Sequence, residues 1–477
     1  MSDFWLYLTT ATYVAAAIAV TVHVLLSKAD VRAAIAWVGV AWLSPVGGAL
    51  AYLFFGINRI SRKARRIAGP SADAHAITSP FAIDLDSLDA SASQADLTQL
   101  ARIGQNLSGL PVLSGNRIEP MLNGDAAYPA MLESIAQAES SVALSSYIFR
   151  ADRVGTPLIG ELIKAYERGV AVRVLLDGVG AGYTRSRAFS ALRRHGIPVA
   201  RFLHSFVPWR MTYLNMRSHK KILVIDGRIG FTGGLNIGEE NTLASPERER
   251  VQDTHFRIEG PVVEEMVACF AEDWRFTTGE TLTGKAWYPP LEAMGDVYGR
   301  VISSGPDETI ERLHWTIAGA LGRSRQRVRV VTPYFLPDQN LMAALKLAAL
   351  RGVLIDIVVP EQSNHRIMDW AAWAQHGQLL ELGCRIHLTA PPFDHSKLMT
   401  VDGRWALFGS ANWDTRSLRL NFEMNVECYG PQVAEALDSL IDQKIAVSRP
   451  LRLHEVGGRS LPIKIRDATA RLFLPYL

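Results

Sequence analysis

One pattern of eight residues occurs twice in this chain, and it limits the folds open to the rest. "HKKILVIDGRIGFTGGLN" runs from His219 to Asn236, and "HSKLMTVDGRWALFGSAN" runs from His395 to Asn412. Each reads H-x-K-x-x-x-x-D, then an apolar run, a Gly-Gly or Gly-Ser pair and an asparagine. Residues two apart on a β-strand share a face, so His219 projects with Lys221, and His395 with Lys397. Asp226-Gly227 and Asp402-Gly403 have the D-G chemistry of a hairpin turn. Lys220 falls on the opposite face and reads as a bystander.

The two copies belong to a longer duplication. "SSVALSSYIF" (Ser140–Phe149) parallels "QRVRVVTPYF" (Gln326–Phe335), and "RGVAVRVLLD" (Arg168–Asp177) parallels "RGVLIDIVVP" (Arg351–Pro360). "RRHGIPV" (Arg193–Val199) parallels "LELGCRI" (Leu380–Ile386). Matched segments in one order predict two similar α/β lobes, each a mixed sheet flanked by helices. We place the first lobe at 116–295 and the second at 296–477. The first carries an insert, "LHSFVPWRMTYLNMR" (Leu203–Arg217), whose aromatic and basic residues suit either a lipid interface or a packed loop.

Before the lobes the composition changes twice. Phe4–Leu26 and Ala33–Ile57 are uncharged stretches, each of a length that could span a bilayer, which needs ~20 apolar residues. They predict a two-helix transmembrane hairpin over 1–66. A cleaved signal peptide fits poorly, because only Asp3 is charged ahead of the first stretch and no basic segment precedes it. Arg59, Arg62, Lys63, Arg65 and Arg66 follow the second span, against Lys28 and Arg32 in the loop. The positive-inside rule then puts both termini and the lobes in the cytoplasm, with the basic cluster at anionic headgroups. Residues 67–115, rich in Ala, Ser, Asp and Gly, read as a linker with at most a short helix.

Facing each other, the lobes would converge two histidines and two lysines. Lysines are point charges for phosphate oxygens, and Asn236, Ser410 and Asn412 add donors for the same oxygens. One histidine can attack phosphorus while the other protonates the leaving alkoxide. Such chemistry calls for neither metal nor cofactor, since fixed donors can hold the developing charge. A nucleophilic imidazole needs its other ring nitrogen oriented by a hydrogen bond. Asp253, in a strand-like segment after the first motif, and Glu423, after the second, are the candidates, each expected beside the histidine of its own lobe. His255 reads as a supporting or core residue. The three cysteines, Cys269, Cys384 and Cys428, fit no disulfide or zinc pattern. A net charge of +3 gives no sign of a nucleic-acid partner, and no phosphate-cradling glycine loop is present.

The paired motifs with their G-[GS]-x-N tails resemble the phospholipase D superfamily. Within it the chain is similar to bacterial cardiolipin synthases of the two-motif type, also over "WLSPVGGALAYLFFGINR" (Trp42–Arg59), "TPYFLPD" (Thr332–Asp338) and "GSANWDTRSLRLNFE" (Gly409–Glu423). The resemblance implies a catalytic set of His219, Lys221, Asp226, His395, Lys397 and Asp402, although the chemistry of the two aspartates is that of turn formers. It implies transfer of a phosphatidyl group between phosphatidylglycerols at a bacterial cytoplasmic membrane, with His219 as nucleophile and His395 as acid/base. The symmetry of the motifs leaves that last assignment open, as it does self-association. A hydrolytic phospholipase D, or a phosphatidyltransferase with another acceptor, would share every residue named. A nuclease of the superfamily and a non-enzymatic membrane scaffold stand further off.

Overall fold

A computed structural model of the chain describes residues 2–28, 31–44, 46–56, 79–85, 95–182, 185–204, 216–244, 250–305 and 311–472. The basic cluster after the second apolar stretch, and residues 205–215 of the insert, lie outside the described residues.

The N-terminal unit is helical: its long apolar runs, uncharged from Phe4 to Ser27, satisfy their backbone groups within the segment, as a bilayer requires. Phe4–Ser27 forms one helix, largely unburied and apolar enough to cross a bilayer. The second apolar stretch behaves differently. Its helix covers Val31–Leu43, stops, and restarts over Gly47–Ala51 before an irregular turn at Tyr52–Gly56. Thirteen helical residues span about 20 Å, short of the ~30 Å hydrocarbon core. The expected pair of full-length spans is thus reduced to one. At this point the sequence has a proline, Pro45, a residue type that lacks the amide hydrogen a helix interior needs. Gly48 lets the restarted helix close on the first part, since a Cβ there would sit 2.2 Å from the Val40 carbonyl oxygen. Val20, Val24, Ala41 and Tyr52 form a small core, and Trp42 Nε1 donates to Thr21 Oγ1 at 3.0 Å.

In the larger unit, strands such as Ser141–Ser146 and Ala171–Asp177 are apolar enough to be covered on both faces. One sheet runs through both lobes. From the first lobe's outer edge its order is Val199–Phe202, Ala171–Asp177, Ser141–Ser146, Ile222–Ile225, Ile229–Gly233, Thr254–Glu259 and Leu113–Leu122. The same order then runs backwards through Val297–Ser304, Glu423–Tyr429, Trp405–Gly409, Leu398–Val401, Arg327–Val331, Leu354–Pro360 and Arg385–Thr389. Ser448–Pro450 is added at the far edge. In each lobe the three outer repeated strands are parallel and the inner ones antiparallel. The lobes therefore meet edge to edge, with Leu113 opposite Gly299 and Asn116 opposite Val297.

The motif aspartates sit in the turns. Asp226 and Gly227 have φ of 53° and 61°, and Asp402 and Gly403 have 53° and 64°, the doubly left-handed backbone of a tight hairpin. The Asp226 carboxylate accepts amide hydrogens from Glu139, Ser140 and Ser141 at 2.7–3.0 Å. Asp402 does the same for Arg325, Gln326 and Arg327 at 2.7–2.8 Å. Each ties its hairpin to the start of the neighbouring strand, which is a structural role.

The segment read as a linker is partly core. Ala95–Ser108 is a helix that buries Leu97, Leu100 and Ala101 with Ile317 and Leu321. The Ala-, Ser- and Asp-rich stretch before it hides its apolar stripe at helical spacing. The fully buried Arg300 pins it, donating to the carbonyls of Ala101 and Leu110 at 3.0 Å and pairing with the buried Glu427. We expect Glu427→Ala to strip this charge of its partner and cost about 3–5 kcal/mol. Denaturant unfolding of the purified protein would measure it, and an unchanged midpoint would show that Arg300 finds another partner.

Candidate active site

Neither histidine is positioned by its own lobe alone. Ser218 bridges in parallel to Phe422, His219 N donates to Phe422 O at 2.9 Å, and Phe422 N donates back to Arg217 O at 2.8 Å. On the other side Phe393–Asp394 pairs in parallel with Val251–Gln252, and His395 N donates to Gln252 O at 2.8 Å. These short cross-lobe ladders place each histidine beside the other lobe's carboxylate. His219 Nδ1 lies 3.2 Å from Glu423 Oε1, and His395 Nδ1 lies 2.9 Å from Asp253 Oδ2. The expectation that each carboxylate serves its own lobe is therefore corrected to a crossed pairing. Its cause is register between two-residue segments far apart in the chain.

The carboxylates are themselves held. Glu423 is fully buried; its Oε2 accepts from Ser410 Oγ at 2.5 Å and its Oε1 from Asn421 Nδ2 at 3.2 Å. Ser410, expected at the phosphate, is engaged in fixing Glu423 instead. Asp253 Oδ1 accepts from Thr254 N at 2.8 Å. The position matching Ser410 is Gly234, where a Cβ would lie 2.3 Å from the Asp253 carboxylate. The shorter acid sits closer to its own backbone, so the first motif needs Gly-Gly where the second takes Gly-Ser. Gly233 and Gly409, at φ of 146° and 154°, face backbone atoms that would strike a Cβ.

The lysines complete the cluster. Both are buried; Lys221 Nζ donates to His219 O at 2.8 Å, and Lys397 Nζ donates to His395 O. Lys397 lies within electrostatic reach of Asp253, Lys221 and Glu423, and His395 within reach of His219. Lys220 turns away and pairs with Asp273 at 2.9 Å. Asn236 and Asn412 stand at equivalent places, their side-chain oxygens buried without a partner among the described residues. His255 is buried, and desolvation pushes its pKa down to about 3.

Burial sets the charge states. Desolvation lowers the His219 pKa against the pull of Glu423. It lowers His395 well below the usual range, helped by Lys397, Lys221 and His219. It pulls Lys397 down to about 7 and lowers Lys221, while Asp253 is pushed up to about 7. Three contacts escaped the sequence reading. Tyr147 meets the His219 ring edge-on at 4.4 Å, Asn421 Nδ2 lies 3.1 Å from His219 Nδ1, and Asp177 accepts from Ser218 N at 2.8 Å. Asn421 had a signal, two residues before Glu423 and so on its face.

This duplicated sheet, with a histidine and lysine from each half gathered at its seam, is the phospholipase D architecture. Residues 131–274 and 317–445 match the family model described as cardiolipin synthase, PLD-like domain. Residues 15–56 match the phospholipase D-nuclease N-terminal model. Cardiolipin synthase 1 of Bacillus anthracis is 30% identical over 457 residues, 94% of this chain and 89% of that one. The cardiolipin synthase of Geobacillus thermodenitrificans is 32% identical over 450 residues, 93% and 88% of the two chains. The chain belongs to the cardiolipin synthase family. A solved phosphatidylserine synthase of Haemophilus influenzae is similar in fold, with TM-score 0.62 and 15% identity over 80% of this chain and all of that one.

The Gly/Ser difference gives a directional test. Gly234→Ser should displace Asp253 and abolish activity, whereas Ser410→Gly removes one bond to a buried carboxylate and should cost on the order of tenfold in kcat. Equal kcat losses in the two variants would refute this account.

Proposed function

We propose that the protein makes cardiolipin by transferring a phosphatidyl group from one phosphatidylglycerol to another, through a phosphohistidine. The observation that carries this reading is the crossed pair of histidine–carboxylate contacts in a chain of the cardiolipin synthase family. In the first step His219 attacks phosphorus through Nε2. The phosphorus–oxygen bond to glycerol breaks, and His395, which takes up a proton when the anionic phosphodiester binds beside it, donates that Nε2 proton to the leaving oxygen. In the second step a hydroxyl of another phosphatidylglycerol gives its proton to His395 and attacks phosphorus. The nitrogen–phosphorus bond breaks and cardiolipin leaves. One phosphodiester replaces another, so the exchange needs no nucleotide.

Several features support these roles. Burial favours a neutral His219, the form that attacks. A carboxylate at Nδ1 fixes the tautomer that leaves the Nε2 lone pair for phosphorus. Lys221 and Lys397 hold the phosphoryl oxygens, with Asn236 and Asn412 beside them. Asp226 and Asp402 act by fixing the hairpins that carry the motifs. The N-terminal helix anchors the enzyme where its two-chain substrates reside, in a bacterial membrane. The basic residues Arg59, Arg62, Lys63, Arg65 and Arg66 that follow the second stretch support a cytoplasmic site for the catalytic lobes.

Hydrolysis to phosphatidic acid would use the same residues, so the product decides. Purified protein given labelled phosphatidylglycerol should release glycerol and accumulate cardiolipin, and phosphatidic acid alone would sink the proposal. His219→Ala and His395→Ala should each lose at least about 10²-fold in rate. The charge states also predict a pH profile. Lys397 loses its proton as pH rises through about 7 in the free enzyme, so KM should climb on the alkaline side. On the acid side activity should fall as Asp253 takes up a proton near 7 and ceases to orient His395 as a carboxylate, while the lowered His219 pKa keeps the nucleophile neutral to below 6.5. Steady-state kinetics from pH 5 to 9 would check both limbs.

A further inference from the structure

The site is nearly two-fold, and its departures from symmetry gather on one side. Arg217 stands two residues before His219 in the extended segment that pairs with Phe422, so its side chain shares a face with His219 and Lys221. The residue at the same place before His395 is Phe393, which packs beside that histidine at 5.9 Å. Arg416 follows Asn412 by four residues, in the short helix Thr415–Arg419. The residue four after Asn236 is Glu240, already paired with Arg150 at 2.9 Å. One flank thus carries two arginines from different lobes, and the other an aromatic ring and an acid.

The arginines form one cluster with Tyr147. Arg217 hydrogen-bonds to the Tyr147 side chain, and both guanidinium groups lie within electrostatic reach of the phenol and of each other. Burial, and then repulsion from Arg217, lowers the Arg416 pKa. Asp177 and Asp414 offset part of this charge, and their oxygens also cap backbone amides. Asp177 Oδ1 accepts from Val179 and Gly180, and Asp414 Oδ1 from Ser417. Two guanidinium groups held together beside a phosphoryl-transfer site suit a second phosphodiester, which each can grip through paired N–H donors.

We infer that Arg217, Arg416 and Tyr147 form a second anion subsite, which holds the phosphate of the acceptor lipid. This rests on the proposed reaction, the one reading in which two phosphates meet in the site. The donor's phosphate is held between the histidines and lysines, and the acceptor carries its own, one glycerol away from the attacking hydroxyl. Water and simple alcohols have no such group, so the subsite favours lipid acceptors over them.

The experiment uses full-length protein in detergent micelles with phosphatidylglycerol, with and without ethanol as an uncharged acceptor. In Arg217→Gln and Arg416→Gln, cardiolipin formation should fall on the order of tenfold or more, while phosphatidylethanol formation from the same donor is retained. Equal loss with both acceptors would place the arginines on the donor phosphate and overturn the proposal, as would no loss at all. If the glutamine variants prove unfolded by their melting curves, Arg217→Lys and Arg416→Lys keep the charge without the fork. A selective loss of cardiolipin in these variants supports the subsite, and an unselective loss or none overturns it. A wild-type protein that makes phosphatidylethanol but no cardiolipin would instead refute the proposed function.

Discussion

The crossed contacts between lobes are the constraint on which the site depends. A buried imidazole is a useful nucleophile only if one ring nitrogen is tied and the other left bare. Here the tie comes from across the pseudo-two-fold: Glu423 for His219 and Asp253 for His395. A single lobe would carry a histidine and a lysine on one strand face without the carboxylate that orients the ring. The seam must therefore be rigid. Its continuous sheet, the Asn116 side chain reaching the Val297 carbonyl at 3.0 Å, and Phe256 stacked on Phe408 all serve that end. The Arg300–Glu427 pair adds to it by tying the Ala95–Ser108 helix to the strands beside the seam.

Much of this was legible in the sequence because duplication makes strand order readable. Two apolar runs after matched helices, and two D-G turns, identify corresponding strands without any knowledge of their partners. What could not be read was pairing between segments remote in the chain. Asp253 and Glu423 stand out as acids in strand-like surroundings, but which histidine each meets depends on two-residue ladders that leave no periodicity. The Ala95–Ser108 helix was hidden by its neighbours, since the Ala-, Ser- and Asp-rich stretch before it suggests a tether that continues through it. At the N-terminus the hydropathy of the second stretch outweighed its proline, although helix geometry gives the proline the decision.

The two glycine tails show how one fold position serves two geometries. With an aspartate as partner, the carboxylate lies against the strand backbone and only Gly234 leaves room for it. With a glutamate, the longer stem moves the carboxylate outward, and Ser410 fills the space and donates to it. The tail is thus coupled to the acid opposite. Changing aspartate to glutamate on one side would demand a matching change in the tail.

This coupling also bears on why a duplicated site should drift from symmetry at all. A reaction between identical groups could use two identical halves, but the proposed phosphatidyl transfer gives its two histidines different tasks at each step. Attack asks for a ring that stays neutral, whereas protonation of a leaving oxygen asks for one that can hold a proton when it is needed. The two rings sit in different fields: in the free enzyme burial and the charges of Lys397, Lys221 and His219 oppose a proton on His395, a field that a bound phosphate anion would offset, while on His219 burial outweighs the pull of Glu423. The flanks differ as well, arginine against phenylalanine and arginine against glutamate. In the proposed reaction, duplication supplies the shared phosphate cradle, and the departures from it are where the two substrate lipids would be told apart.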